Sequence, residues 1–471
     1  MPLPIAVADL VAATGGRLLR PTSVDSFHLA AVDSRRVTPG CCFVALRGER
    51  LDGHTFVADA VRRGAVAALV ERPVELPPSA DAALVRVPDP LRALQELAAW
   101  WRGRFPVRVV GITGSTGKTI AKEICADVLS RAFVTLRNEG NLNSESGLPM
   151  TLLRLEPRHE AAVLEMSMYT EGEIARLAEI AAPEVGVVLA VHPTHVERAG
   201  SLDAIARAKS ELPAALPRGG LAVLNQDDQR VSAMRSVTRA SVRTYGLGPR
   251  ADVRATDVES LGVRGTSFTL VAPWGTRRVR AGTPGRHLVG HALAAAAVAE
   301  WFEVPLDEVA AALEAGSRAA HRMALLEAPS GTLVVDDSYN ASPVSVAAAL
   351  EFLAETPLPA GRRRLAVLGD MLELGPHEER LHREIGAKAA SILDGLLAVG
   401  PRGRWIADAA RSAGLARVAT AGDAGDAIAA LDRALAPGPG DLLLVKASRG
   451  VALDRLVDAL AAPLAAGGIG S

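Results

Sequence analysis

The stretch "VVGITGSTGKTIAKE", Val109 to Glu123, decides how the rest of the chain is read. Two valines run into a tight Gly/Thr/Ser loop, then Lys118 and Thr119, then a segment with helical spacing. Glycines let a backbone turn its N–H groups onto a phosphate, and a helix N-terminus adds the positive end of its dipole. On this reading Gly114, Ser115, Thr116 and Gly117 cradle a nucleotide phosphate. Lys118 meets the β/γ-phosphates, and the Thr119 hydroxyl meets Mg²⁺. The common spacing GxxxxGK[ST] asks for glycine at 112, where this chain has Ile112, so the loop is an unusual one. A glycine-rich strand-to-helix turn without a ligand is the competing interpretation. A GKT after a buried strand, in a chain so poor in lysine, opposes it.

That poverty is informative. Lysine and arginine together number 52, of which only five are lysine (118, 122, 209, 388 and 446), leaving 47 arginines. Arginine stays charged and planar, whereas lysine is a compact charge that can be deprotonated and modified. The surviving lysines are therefore candidates for chemistry that arginine cannot perform, with codon bias as the alternative, strongest for Lys122 and Lys388.

The 471 residues suggest two to four domains. A hydrophobic share of 49% with 22% charged residues is ordinary for a globular protein. The net charge of −1 supplies no basic field for nucleic acid or an anionic membrane, and 3% aromatics leave little to stack on bases. Cores must then rest on Leu, Val and Ala. Three cysteines, two of them adjacent at 41 and 42, give neither a disulfide framework nor zinc spacing. The first residues lack a basic leader, and no apolar run reaches the roughly 20 residues of a membrane span. A cytoplasmic location and a monomer are expected.

Three units are expected: 1–106, 107–319 and 320–471. In the first, "DSRRVTPGCCFVAL" reads as a turn and strand, and "DPLRALQELAAWWRGRF" as an amphipathic helix. In the second, "AAVLEMS", "PEVGVVLAVHPTH" and "GGLAVLNQDD" read as strands. "SLDAIARAKSELPAAL" reads as a helix capped by Ser201. Strands alternating with helices imply a parallel doubly wound sheet, an α/β fold. From about 245 to 285 the pattern turns to shorter, turn-rich strands. The third unit alternates again, through "GTLVVDDSYN", "RRRLAVLGDM", "DGLLAVG" and "DLLLVKASRG", and its last residues are expected to fray.

Candidate site residues sit at strand ends. Glu165 ends "VLE", where a second ligand for the Mg²⁺ is its natural use, with an ion pair to arginine as the alternative. His192 and His195 end the next strand; loop packing competes with a metal role for each. Lys209 lies near the apolar face of its helix, which suits either a modified, metal-linked lysine or one that snorkels to solvent. Arg322 could reach a phosphate, and Asp337 a ribose hydroxyl. Lys446 and Arg449, at another strand end, suit an anionic substrate.

The shortened loop T-G-S-x-G-K-T resembles the ATP loop of the Mur ligase family. The resemblance continues in order through "DSRRVTPGCCFVALRGERLDGHTF", "NEGNLNSESGLPMTLLRL", "DDSYNAS", "VLGDMLELG" and "VKASRG". It implies a UDP-sugar-binding domain, a central P-loop ATPase-like domain and a C-terminal Rossmann-like domain. The motif set is most similar to the branch that joins D-alanyl-D-alanine to UDP-N-acetylmuramoyl-tripeptide through an acyl phosphate. The resemblance implies ATP and two Mg²⁺ ions. Lys118, Thr119, Glu165, His195 and Lys209 would form the catalytic and metal set, Lys209 being carbamylated. His291, Arg322 and Asp337 would serve ATP. Ser34, Arg35, His54, Asn141, Asn340, Lys446 and Arg449 would serve the substrates. The chain departs from the family pattern at Ile120, Ala190, Leu288 and His291. Another amino-acid ligase of the family, or a nucleotide-binding regulator without catalysis, are the alternatives.

Overall fold

The structure is a computed structural model that describes residues 3–48, 51–193, 200–316, 321–460 and 462–463. Among them the strands form three large sheets. The first is five-stranded, in the order Arg17–Arg20, Ala83–Arg86, Ala67–Val70, Cys42–Val44, Ala30–Ala31. All its neighbours pair parallel except Arg17–Arg20. The helix Pro90–Arg102 lies behind it. Pro90 opens that helix, and Asp89 caps it by accepting from the Leu91 and Arg92 amides. Its buried face is Leu94, Leu97, Ala98 and Trp101.

The second sheet has nine strands, with Arg108–Thr113 between Val185–Val188 and Ala161–Glu165. Both pairings are parallel. The chain leaves Arg108–Thr113 to build one side of the sheet and returns to build the other, so strand order reverses there. Such a reversal opens a crevice at the carboxyl ends of the strands, and residues 114–117 begin at that point. The helix Leu202–Ala215 starts on Ser201, whose hydroxyl accepts from the Ala204 amide at 3.1 Å.

Between 241 and 281 the strands are longer than the sequence pattern suggests. Val253–Ser260 has eight residues, and Thr266–Ala272 and Gly275–Ala281 seven each. The last two pair antiparallel, with one face open to solvent. Polar residues on that face, Thr276, Arg278 and Arg280, make continuous strands look interrupted.

The third sheet has seven strands; five are parallel, from Val418–Ala421 across to Leu333–Asp336. Ala324–Glu327 closes that edge antiparallel. Ala462–Pro463, in the tail expected to fray, adds a short antiparallel pairing to Leu326–Glu327. The cores are mostly Leu, Val and Ala, with Ile, Phe and Met among them. The helix Val289–Trp301 buries Ala292 and Ala294–Ala297, small residues that let it pack closely on Lys118–Leu129.

Close approach also seats the Lys209 helix. Gly111 and Gly186 face each other across neighbouring strands. A methyl at Gly111 would come within 3.0 Å of Leu212, and one at Gly186 within 3.1 Å. Leu212, fully buried one turn after Lys209, therefore sets the height of that helix over the loop strand. Leu212→Ala is expected to destabilise the chain by about 2–5 kcal/mol, read as a lowered denaturation midpoint. An unchanged midpoint would show that this contact does not seat the helix.

Candidate active site

Gly117 takes φ +78° just before the helix Lys118–Leu129, a conformation in which a side chain is strained. A Cβ there would overlap the His291 imidazole, and one at Gly114 would lie 2.8 Å from Leu189 Cβ. The loop is thus packed so tightly that only glycine fits at either end. It is stitched to the end of the adjacent strand. The Ser115 amide donates to the Ala190 carbonyl at 2.8 Å. Ser115 Oγ donates to the His192 carbonyl and accepts from the His192 amide, both at 2.9 Å. His192 thereby contributes its backbone, while burial lowers the pKa of its ring. Lys118 Nζ folds back to donate to the Gly114 carbonyl at 3.0 Å. This lysine-to-loop bond keeps the ammonium over the cradle.

Glu165 is buried at the end of its strand, and both carboxylate oxygens are engaged. Thr119 Oγ1 donates to Oε2 at 2.8 Å, and Asn143 Nδ2 donates to Oε1 at 2.6 Å. Arg322, 203 residues along from Thr119, donates from Nη2 to the same hydroxyl at 2.9 Å. Loop, strand end and third unit therefore meet at one oxygen. Arg322 Nε is buried without a partner among the described residues. Its guanidinium carbon lies 4.3 Å from the Tyr339 ring centre, a cation–π contact. An unpartnered guanidinium N–H beside the phosphate cradle is a donor set suited to an anion.

Lys209 is buried and makes no hydrogen bond or ion pair among the described residues. Burial, helped by the Lys118 charge, pushes its pKa well below the ordinary lysine value. His195 lies outside the described residues.

Two buried charges mark the third unit. Lys446 Nζ pairs with Asp337 Oδ2 at 2.5 Å and donates to the Asn340 carbonyl at 2.9 Å. Burial lowers the Lys446 pKa against the opposing pull of Asp337. The Asn340 side chain is exposed, its Oδ1 accepting from the Ala341 amide. Arg449 pairs with Asp454 at 2.8 Å and lies 5.4 Å from the Tyr339 ring centre. Tyr339, which sequence reasoning passes over, thus contacts both arginines. His291 is half-buried against Gly117, and desolvation of its ring lowers its pKa to about 4, so it sits there as neutral imidazole.

The first-unit residues lie in two short 3-10 turns, Ser34–Arg36 and Gly53–Phe56. His54 uses both ring nitrogens internally: Nδ1 to Asp52 Oδ1 at 2.7 Å, and Nε2 accepting from the Glu71 amide at 2.9 Å. Arg35 is exposed and paired with Asp33 at 2.7 Å. Ser34 is buried, beside Asp59. Asn141 is exposed on the loop whose Asn143 reaches Glu165. Asn143 and Asn138 are further contributors that the sequence reading does not single out.

Among the described residues no three His, Cys, Asp or Glu side chains converge as metal ligands. One hydroxyl and one carboxylate, Thr119 and Glu165, form a sparse oxygen set. That fits Mg²⁺, which is usually held by one or two carboxylates together with substrate phosphates.

Comparisons with known proteins cover most of the chain. Residues 112–299 match the Mur ligase middle domain. Residues 321–449 match "Mur ligase, glutamate ligase domain", and residues 26–102 "Mur ligase family, catalytic domain". A relative from Escherichia coli (strain K12), named UDP-N-acetylmuramoyl-tripeptide--D-alanyl-D-alanine ligase, is 39% identical, covering 91% of this chain and 92% of that protein. The crystal structure of MurF from Acinetobacter baumannii superposes with a TM-score of 0.85 at 32% identity, covering 98% of this chain and 99% of that one. The MurF ligase from Thermotoga maritima, in complex with ADP, gives 0.78 at 29% identity, covering 92% and 96%.

Gly117→Ala is expected to reduce ADP affinity at least about tenfold in calorimetry, because the added methyl must displace His291 or unwind the loop. Affinity equal to wild type would show that the cradle does not hold phosphate.

Proposed function

The chain belongs to the Mur ligase family, and we propose that it is an ATP-dependent ligase joining D-alanyl-D-alanine to UDP-N-acetylmuramoyl-tripeptide in peptidoglycan precursor synthesis. The observation that carries this reading is the meeting at Thr119 of the phosphate loop, Glu165 and Arg322. That arrangement gathers cations and metal-binding oxygens around one phosphate from two sheets. The named relative supplies the substrate pair.

The chemistry follows from the bonds to be made. A carboxylate does not react with an amine, because oxide is its leaving group. The terminal carboxylate of the peptide attacks the γ-phosphorus of ATP, giving an acyl phosphate and ADP. The free amine of D-alanyl-D-alanine then attacks the acyl carbon. The tetrahedral intermediate collapses with loss of inorganic phosphate and of the ammonium proton, leaving an amide. Lys118 and the loop amides hold the β/γ-phosphates. Arg322 faces the transferred group from the third unit, where negative charge crowds. Its seat on Thr119 also closes the third sheet over the loop, keeping water off the acyl phosphate. Asp337, fixed by Lys446, faces the ribose end. Asn141 is exposed towards the acceptor. Ser34, Arg35 and His54 belong to the UDP end.

Thr119 and Glu165 would hold Mg²⁺, which neutralises phosphate charge and orients the transfer when bound. His195 is assigned to a second ion from the family resemblance. Lys209 is assigned as a carbamate. Carbon dioxide adds to a neutral amine, and burial among apolar neighbours favours the neutral form. Arginine has no such chemistry. Ile120 and Leu288, two departures from the family pattern, are buried in the apolar core, and packing accounts for them without loss of catalysis. No helix among the described residues is long and apolar enough to cross a membrane. A cytoplasmic location suits an enzyme that consumes ATP, and a monomer is proposed with it.

Phosphate release from MgATP is expected only when UDP-N-acetylmuramoyl-tripeptide and D-alanyl-D-alanine are both present, with the pentapeptide product seen by mass. Tight ATP binding without release would instead identify a binding protein. Lys209→Arg is expected to lose at least about 100-fold in turnover, with wild-type turnover falling in carbon-dioxide-depleted buffer. Equal activity of variant and wild type would remove the carbamate from the account.

A further inference from the structure

Lys122 is one of the few lysines, fully buried, and touches neither the phosphate loop nor any expected substrate position. It lies one helical turn beyond Lys118. Its Nζ donates to the Asn138 carbonyl at 2.5 Å and pairs with Glu123 Oε1 at 2.6 Å. Glu123 in turn pairs with Arg137 at 2.7 Å. The parallel ladder between Thr135–Arg137 and Ala161–Glu165 ends at the Arg137–Val163 pair. Beyond it the Asn138 side chain takes over. Its Oδ1 accepts from the Glu165 amide at 2.9 Å, and its Nδ2 donates to the Glu165 carbonyl at 3.2 Å. A side-chain amide thus serves as the missing strand neighbour of Glu165. The same Nδ2 also donates to the Leu142 carbonyl at 2.8 Å, and the Asn143 carbonyl accepts from the Ser167 amide at 2.9 Å. The loop holding Asn143 on the Glu165 carboxylate is therefore tied down from two sides.

We infer that Lys122 is a positioning residue, which acts through Asn138 to fix the Glu165 carboxylate and to couple the phosphate-binding helix to the loop carrying Asn141. The inference rests on the proposed function, in which Glu165 meets the nucleotide-borne metal. A buried ammonium gives up its hydration, and an apolar residue would fill the same space. Here its compact donors hold a backbone carbonyl and a carboxylate at once. Arginine, the chain's usual cation, has a broad planar fork unsuited to that pocket.

The test uses Lys122→Met, Asn138→Ala and the double variant of the full chain, with Mn²⁺ as the probe. Mn²⁺ affinity in the presence of ADP is read by electron paramagnetic resonance, and thermal midpoints control for folding. Each single variant is expected to bind Mn²⁺ at least about tenfold more weakly. The double variant should lose no more than the weaker single, since both act on one path. If Lys122→Met fails to fold, Lys122→Gln, a neutral polar side chain, takes its place in the series. Affinity within about twofold of wild type in the folded single variants, or losses that multiply, would overturn the inference. Absence of ADP-linked Mn²⁺ binding in the wild type would reject the proposed function itself.

Discussion

The hydrogen bond from Thr119 to Glu165, 2.8 Å long, is the constraint on which the site depends. It fixes the first turn of the phosphate-binding helix to the end of the neighbouring strand. The side chains at that point have little freedom, because the strand end is buried and the Glu165 carboxylate is bonded at both oxygens. Thr119 spends its proton on Glu165, which leaves its oxygen lone pairs as acceptors. One accepts from Arg322. The loop helix, the Glu165 strand end and the third unit are thereby referred to the same atom, which is how a three-sheet protein brings groups from distant segments to one point.

The charges around that atom follow one rule. Four of the five lysines lie at or beneath the site, and three of these, Lys122, Lys209 and Lys446, are nearly inaccessible to water. Lys118 serves the cradle, Lys122 holds a backbone carbonyl and a carboxylate, and Lys446 is clamped by Asp337. Lys209 alone has no counter-charge among the described residues, and burial drives its amine toward neutrality. Lys388, the fifth, makes a surface pair with Glu351. A chain that otherwise uses arginine keeps lysine where a small cation or a reactive amine is needed.

Much of this is readable in the sequence, for reasons that are local. Apolar runs bounded by glycine and polar turns give the parallel strands, and an acid or lysine at the end of such a run stands out, as with Glu165 and Lys446. Scarcity of lysine draws the eye to Lys209. The rest depends on pairings that no spacing encodes. In "NEGNLNSES" every residue but leucine is polar or glycine, so nothing separates Asn141, which is exposed, from Asn143 and Asn138, which grip Glu165. Tyr339 hides in a polar turn, and its partners Arg322 and Arg449 lie in other segments. The strands after 252 read as shorter than they are, because one face is solvated. The role of the histidine at 54 comes only from the family resemblance, and the pairing of both its nitrogens, to Asp52 and to the Glu71 amide, is encoded in no spacing.

The central claim is that ATP activates a carboxylate as an acyl phosphate. Oxygen-18 in the terminal carboxylate of UDP-N-acetylmuramoyl-tripeptide, followed into inorganic phosphate by mass spectrometry, tests it most directly. The account predicts one labelled oxygen in each phosphate released, because the bridging oxygen leaves with phosphorus. Unlabelled phosphate accompanying amide formation would contradict it.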